Sequence, residues 1–229
     1  MLRLWRDDIA WVGVQPDVLI VGGDANDGQD PKGRDVEIDN VPWQISEAEA
    51  LLLEWQPKRI EVLAGTAYHT GDTVQYETFL AGYFERRGIP TGFHWKLRAR
   101  VNGWFKMQAR HKMSRSAIPH GRHTGPSRMQ AWQVINAAIE AREKREAVDW
   151  PELTIGGHCH YFAQAMTRMG TVIVAPCWKG IGDRFGDMEC EGAVDVGIIR
   201  IDVGETEEEG WTWRPRLHLA RLEHRTVNL

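Results

Sequence analysis

Three apolar runs in this chain stop in the same way. DVLIV (Asp17 to Val21) runs into GGDANDG, RIEVL (Arg59 to Leu63) into AGTAYHTG, and LTI (Leu153 to Ile155) into GGHCHY. An unbroken run of Val, Ile and Leu belongs to a strand covered on both faces, the strand type of an α/β sheet. Glycine after each run lets the backbone turn sharply and come close to whatever the polar residues hold. Ligands of such sheets gather beyond the carboxyl ends of the strands. A site is therefore expected where the three glycine-rich exits meet.

The segments between these runs supply helices and a hairpin. Leu4 to Val14 reads as a short helix stopped by Pro16. Ile45 to Trp55 reads as a helix with Ser46 as its N-cap and Glu49 three residues on, the spacing of a capping box. Thr73 to Gly88 has helical periodicity and a glycine stop. Lys96 to His111 is two alternating runs joined by Asn102-Gly103, a strong hairpin signal. A long helix is expected from about Arg128 to Ala147, and strands alternate with turns from Ala165 onward. The acidic ETEEEG (Glu205 to Gly210) reads as a solvated hairpin loop. With no repeat and no linker-like stretch, the expectation is one α/β domain over residues 1–229, with mixed sheets and helices on their outer faces.

Composition narrows the partners. At 229 residues and 42% hydrophobic, the chain can bury a sizeable core. No apolar run reaches the ~18 residues of a membrane span, so no membrane partner is expected. Asp7 and Asp8 interrupt what would be the apolar part of a secretory signal, and Cys159, Cys177 and Cys190 form no paired framework. Both features point to a cytoplasmic protein with reduced thiols. The net charge of −4 hides an uneven distribution: Arg86 to Ile139 contains no Asp or Glu, but eleven Lys or Arg. His94, His111, His120 and His123 lie in the same stretch. Such a field suits an anionic ligand, a phosphorylated small molecule or a nucleic acid; a solvated basic face is the plainer alternative.

His158 and His160 are two apart at a strand exit, so in extended backbone both rings would point to one side and Cys159 to the other. The pair is either a metal site or an accident of sequence. Asp24 at the first exit and His111 at the end of the hairpin complete a carboxylate-plus-imidazole set suited to Zn, Mn or Fe. Arg115, Arg122 and Arg128 flank His120 and His123 and are candidates for gripping phosphate bidentately.

The ordered elements GGDANDG, AGTAYH, ARHK and GGHCH resemble those of the calcineurin-like metallophosphoesterases, from about Asp17 to Trp178. That family's signature is Asp-x-His, Gly-Asp, Gly-Asn-His, a lone His and Gly-His-x-His. The resemblance implies a sandwich of two mixed sheets flanked by helices and up to two divalent metals (Mn, Zn, Fe or Ni). It implies that Asp24 bridges the metals, with His111 and His158 on one and His160 on the other. Thr66 stands where the family has a metal-binding Asn. His69, two residues later than the family's histidine, would protonate the leaving group. No Asp-x-His precedes Asp24, so the expectation is a metal-dependent phosphoesterase lacking its first strand and two ligands, and hence impaired. The rival readings are a non-catalytic remnant that binds phosphate or nucleic acid, and a structural zinc site of His158, His160, Cys177 and Cys190.

Overall fold

The computed structural model describes residues 1–29, 40–70, 75–113, 121–145, 150–179 and 193–221. In chain order these form α1 (Leu2–Val12), β1 (Leu19–Val21), α2 (Val41–Leu53), β2 (Ile60–Leu63) and the single turn α3 (Ala67–Thr70). There follow α4 (Gln75–Arg86), β3 (Thr91–His94), β4 (Leu97–Val101), β5 (Phe105–Lys112) and α5 (Thr124–Lys144). Strands β6 (Leu153–Gly157), β7 (Ala163–Thr167), β8 (Gly170–Val174), β9 (Ala193–Val203) and β10 (Trp211–Arg221) complete the set. No helix among the described residues is long and apolar enough to cross a membrane.

The strands make three sheets: parallel β1-β2-β3, mixed β4-β5-β6-β8-β7, and the antiparallel ribbon β9-β10. Ile20 of β1 and Ile199, Ile201, Trp211 and Trp213 of the ribbon all pack on the cluster Phe105, Met107, Leu153 and Ile173 of the five-stranded sheet. Leu63 of β2 packs on Leu97 and Ala109 beside it. The core is thus the apolar space between two layers, and one of those layers is split into a sheet and a ribbon. Helices cover the outer faces. Ile45 of α2 and Leu80, Ala81 and Phe84 of α4 bury against Val21, Ile60 and Val62. Met129 of α5 joins Val172 and Val174 of β8. The fold is mixed α/β with sheets flanked by helices, as expected.

One local expectation changes and another holds. Helix α2 begins at Val41, because the Asn40 side chain accepts from the Trp43 N–H at 3.0 Å and Pro42 sits in the first turn. Ser46 therefore lies inside the helix, and Glu49 pairs with Arg87 of the turn after α4 instead of closing a capping box. The hairpin holds: Asn102 and Gly103 both have positive φ, 50° and 77°, as its tight turn requires.

Asp8 is fully buried in α1 between Arg216 Nε at 2.9 Å and His218 Nε2 at 2.7 Å, both from β10. This triad ties the first helix to the last ribbon. Burial raises the Asp8 pKa, partly offset by His218 and Arg216. Replacing Asp8 by Ala leaves Arg216 and His218 without their shared carboxylate and is expected to lower unfolding stability by about 2 kcal/mol in a urea titration.

Candidate metal centre

The three exits meet. Asp24, His111 and His158 bring ligating atoms within 4.8 Å of one another, from the turn after β1, the end of β5 and the turn after β6. Each is placed by a departure from regular backbone. Asp24 has φ 52° and His158 φ 71°, in the left-handed region that non-glycine residues seldom occupy. His111 sits where the β5–β6 register shifts between Arg110 and Lys112, a bulge that turns its ring inward. Gly23 makes room for it: with φ 88°, a Cβ there would fall 2.7 Å from His111 Nδ1.

The His111 ring is fixed at both nitrogens. Nδ1 donates to the Gly22 carbonyl at 2.7 Å. Nε2 lies 2.7 Å from Asp24 Oδ2 without the alignment of a hydrogen bond. In the neutral ring the Nε2 lone pair therefore faces a carboxylate oxygen, two acceptors that only a cation or proton can reconcile. His158 Nδ1 stands 3.9 Å from the same oxygen, and the two imidazoles meet edge to face at 5.2 Å. Two imidazoles and one carboxylate suit Zn, Mn or Fe and leave positions open for a ligand.

Charge follows the geometry. Burial opposes ionisation of Asp24, but His111, His158 and the charge of His69 outweigh it and hold the carboxyl far below its ordinary value. Burial likewise opposes the His111 cation, and Asp24 outweighs it, so that pKa is raised. The other Asp24 oxygen, Oδ1, accepts from the Thr66 N–H at 2.6 Å and hydroxyl at 3.1 Å. Thr66 thus touches the carboxylate and orients it.

The remaining predicted residues are dispersed. His160, φ 53°, stands outside the three-residue cluster. Strand alternation ends at Gly157, so the rule that sends residues two apart to one side does not apply to His158 and His160. Cys159 does turn away, into the core with Met113 and Tyr161. His69 Nδ1 donates to the Asp27 carbonyl at 3.0 Å. The Arg122 guanidinium stacks on Tyr161, and Arg128 is exposed on α5. Arg115 and Cys190 lie outside the described residues, and Cys177 Sγ contacts the Lys179 carbonyl. Within the acid-free stretch, Arg87 is engaged by Glu49 and Arg98 by Glu140.

Two residues join the site that the sequence reading passed over. Lys179 Nζ pairs with Asp27 Oδ1 at 2.9 Å, and Glu77 of α4 is fully buried with no hydrogen bond of normal geometry to either oxygen. Burial pushes the Glu77 pKa up to about 7, and the Asp24 charge adds to this. Its own N–H, that of Asp24, and His111 pull the other way. The signal was present in α4: Glu77, Leu80, Ala81 and Phe84 are the buried stripe, so Glu77 occupies a core position of an amphipathic helix.

No family model matches the chain, and a search of curated proteins finds no significant match. Among solved structures, the chain is similar to one described as a novel archaeal phosphodiesterase, at 14% identity and TM-score 0.45, over 94% of this chain and 93% of that one. It is similar to zinc-complexed Vps29 from Entamoeba histolytica at 13% identity and TM-score 0.38, over 88% and 98%. A predicted phosphoesterase from Streptococcus pneumoniae matches at 8% identity and TM-score 0.34, over 87% and 97%. The resemblance to the calcineurin-like metallophosphoesterases lies in the order of the motifs and in the strand ends where they fall.

A metal must take the Nε2 lone pair of His111 from a proton. Metal affinity is therefore expected to rise ~10-fold per pH unit up to the raised His111 pKa, above 6.5, and to level off beyond it. Asp24 stays ionised throughout that window and adds no slope. Manganese titration calorimetry between about pH 6 and about pH 9 measures this. Gly23→Ala, which drives a methyl into the His111 ring, is expected to weaken binding at every pH while the circular dichroism spectrum holds.

Proposed function

We propose that this chain is a metal-dependent phosphoester hydrolase acting on a phosphorylated small molecule or nucleic acid, with one divalent cation held by Asp24, His111 and His158. What carries the reading is the His111 ring, locked by the Gly22 carbonyl so that its second nitrogen faces Asp24 Oδ2. A divalent cation bound there would activate water as a nucleophile and take up charge from the phosphoryl oxygens. His69, placed by its Nδ1 contact with the Asp27 carbonyl, is the residue that would carry a proton to the leaving oxygen. Lys179, on the Asp27 carboxylate, supplies a second positive charge toward the phosphate. Arg122 and Arg128 extend that field outward, and His160, outside the three-residue cluster, is by the family resemblance a ligand of a second metal. Cys159 and Cys177, both thiols, fit a reducing cytoplasm.

The reading as a non-catalytic remnant draws support from Thr66, whose hydroxyl donates to Asp24 at the position of the family's metal-binding Asn. Turnover separates the two. Slow hydrolysis of bis-(p-nitrophenyl) phosphate is expected with added Mn, abolished by chelation and by His111→Ala. His69→Ala is expected to cost ~100-fold on an alkyl phosphodiester and much less on the nitrophenyl ester, whose leaving group needs no proton. Phosphate binding without turnover under any divalent metal would decide for the remnant.

A further inference from the structure

The imidazoles use only one side of Asp24. His111 and His158 approach Oδ2, whereas Oδ1 faces Thr66 and the carboxylate of Glu77. Gly65 is what lets these two acids meet: a Cβ there would overlap Asp24 Oδ1 and fall 2.7 Å from Glu77 Oε1. Glu77 has no exposed surface, and its oxygens meet only its own N–H and that of Asp24, neither in normal hydrogen-bond geometry and neither carrying charge. Among the described residues the other buried acids are each answered by an arginine and a histidine, Asp8 by Arg216 and His218, and Glu61 by Arg59 and His94. Among the described residues no lysine or arginine pairs with Glu77. A carboxyl so placed, beside a second one, is neutralised by a proton or met by a cation from outside the chain, and the two compete for the same oxygens.

We propose that Glu77 is the ligand of a second divalent cation, bound on the Oδ1 side of Asp24 with the Thr66 hydroxyl beside it. Asp24 then bridges two unlike positions. One is rich in nitrogen, from His111 and His158; the other is rich in oxygen, from Asp24 and Glu77, and suits a hard cation such as Mn or Mg. The carboxylate is delivered by α4, a helix anchored in the core by Leu80, Ala81 and Phe84, so it is held without mobile side-chain support. This rests on the reading of Asp24, His111 and His158 as the first cation position.

The test is a Mn titration of the full chain by calorimetry and electron paramagnetic resonance, with thermal melts in the presence and absence of Mn. Wild type is expected to take up two Mn that share Asp24 and show exchange coupling. Glu77→Gln is expected to retain one uncoupled Mn, to bind the other more than ~10-fold more weakly, and to melt without metal no lower than wild type. Glu77→Met, apolar and of similar length, repeats the comparison should the glutamine fold poorly. Unchanged stoichiometry and coupling in these variants would overturn the proposal. So would a lowered metal-free melting temperature with an intact Mn-dependent rise, which marks a structural residue. Uptake of a single Mn, equal in wild type and Glu77→Gln, overturns this proposal and leaves the first position standing. No uptake by wild type removes both.

Discussion

A carboxylate withdrawn from water has to be met by positive charge, and most of the architecture around the strand exits follows from how Asp24 meets that demand. It receives no arginine and no lysine among the described residues. It receives two imidazoles and the N–H and hydroxyl of Thr66. Imidazoles titrate near neutrality and ligate metals when neutral, so this environment exchanges protons for cations in a way that a guanidinium partner would forbid. The Asp8 triad shows the alternative within the same molecule. There an arginine and a histidine close on the acid, and the result is a brace between α1 and β10.

Holding Asp24 in this way costs backbone strain. Asp24 and His158 sit at positive φ, and each such non-glycine residue costs about 1 kcal/mol or more. That strain persists because each turn is anchored by a strand it cannot leave. Val21 is buried under α2 and α4, and Leu153 under the ribbon and β1. The bulge at His111 is held similarly, with Ala109 two residues before it fully buried against Leu63. The packed space between the layers thus serves the site directly, since it over-determines the three exits.

Much of this was legible in the residues. Unbroken apolar runs gave β1, β2 and β6, Asn102-Gly103 gave the hairpin, and glycine at the exits marked Gly23 and Gly65, whose missing side chains leave room for His111 and Asp24. What escaped depends on relations that a local pattern does not carry. The start of α2 turned on Asn40, which precedes the apolar periodicity. The inward turn of His111 comes from a register shift against Gly156 and Gly157 of β6, far along the chain, which only the pairing reveals. Strand alternation brought His158 and His160 together on paper, yet both residues have left the strand region of backbone conformation. Glu77 is legible as an acid in a core stripe, but its approach to Asp24 depends on how α4 packs against β1 and β2, which no local pattern carries.

The turn after β1 then explains why so short a strand can organise so much. Within four residues it presents Asp24 to the imidazoles, the buried amide of Asn26, and both ends of Asp27. The Asp27 carbonyl holds His69 from α3, and its carboxylate holds Lys179 from beyond β8. Asp24 meanwhile binds Thr66 from the exit of β2. Elements distant in sequence are thereby fixed to one loop, and a small displacement of that loop moves Asp24, His69 and Lys179 together. Catalysis by positioned groups depends on such shared anchoring, because groups tied to one support keep their mutual distances even when the support shifts.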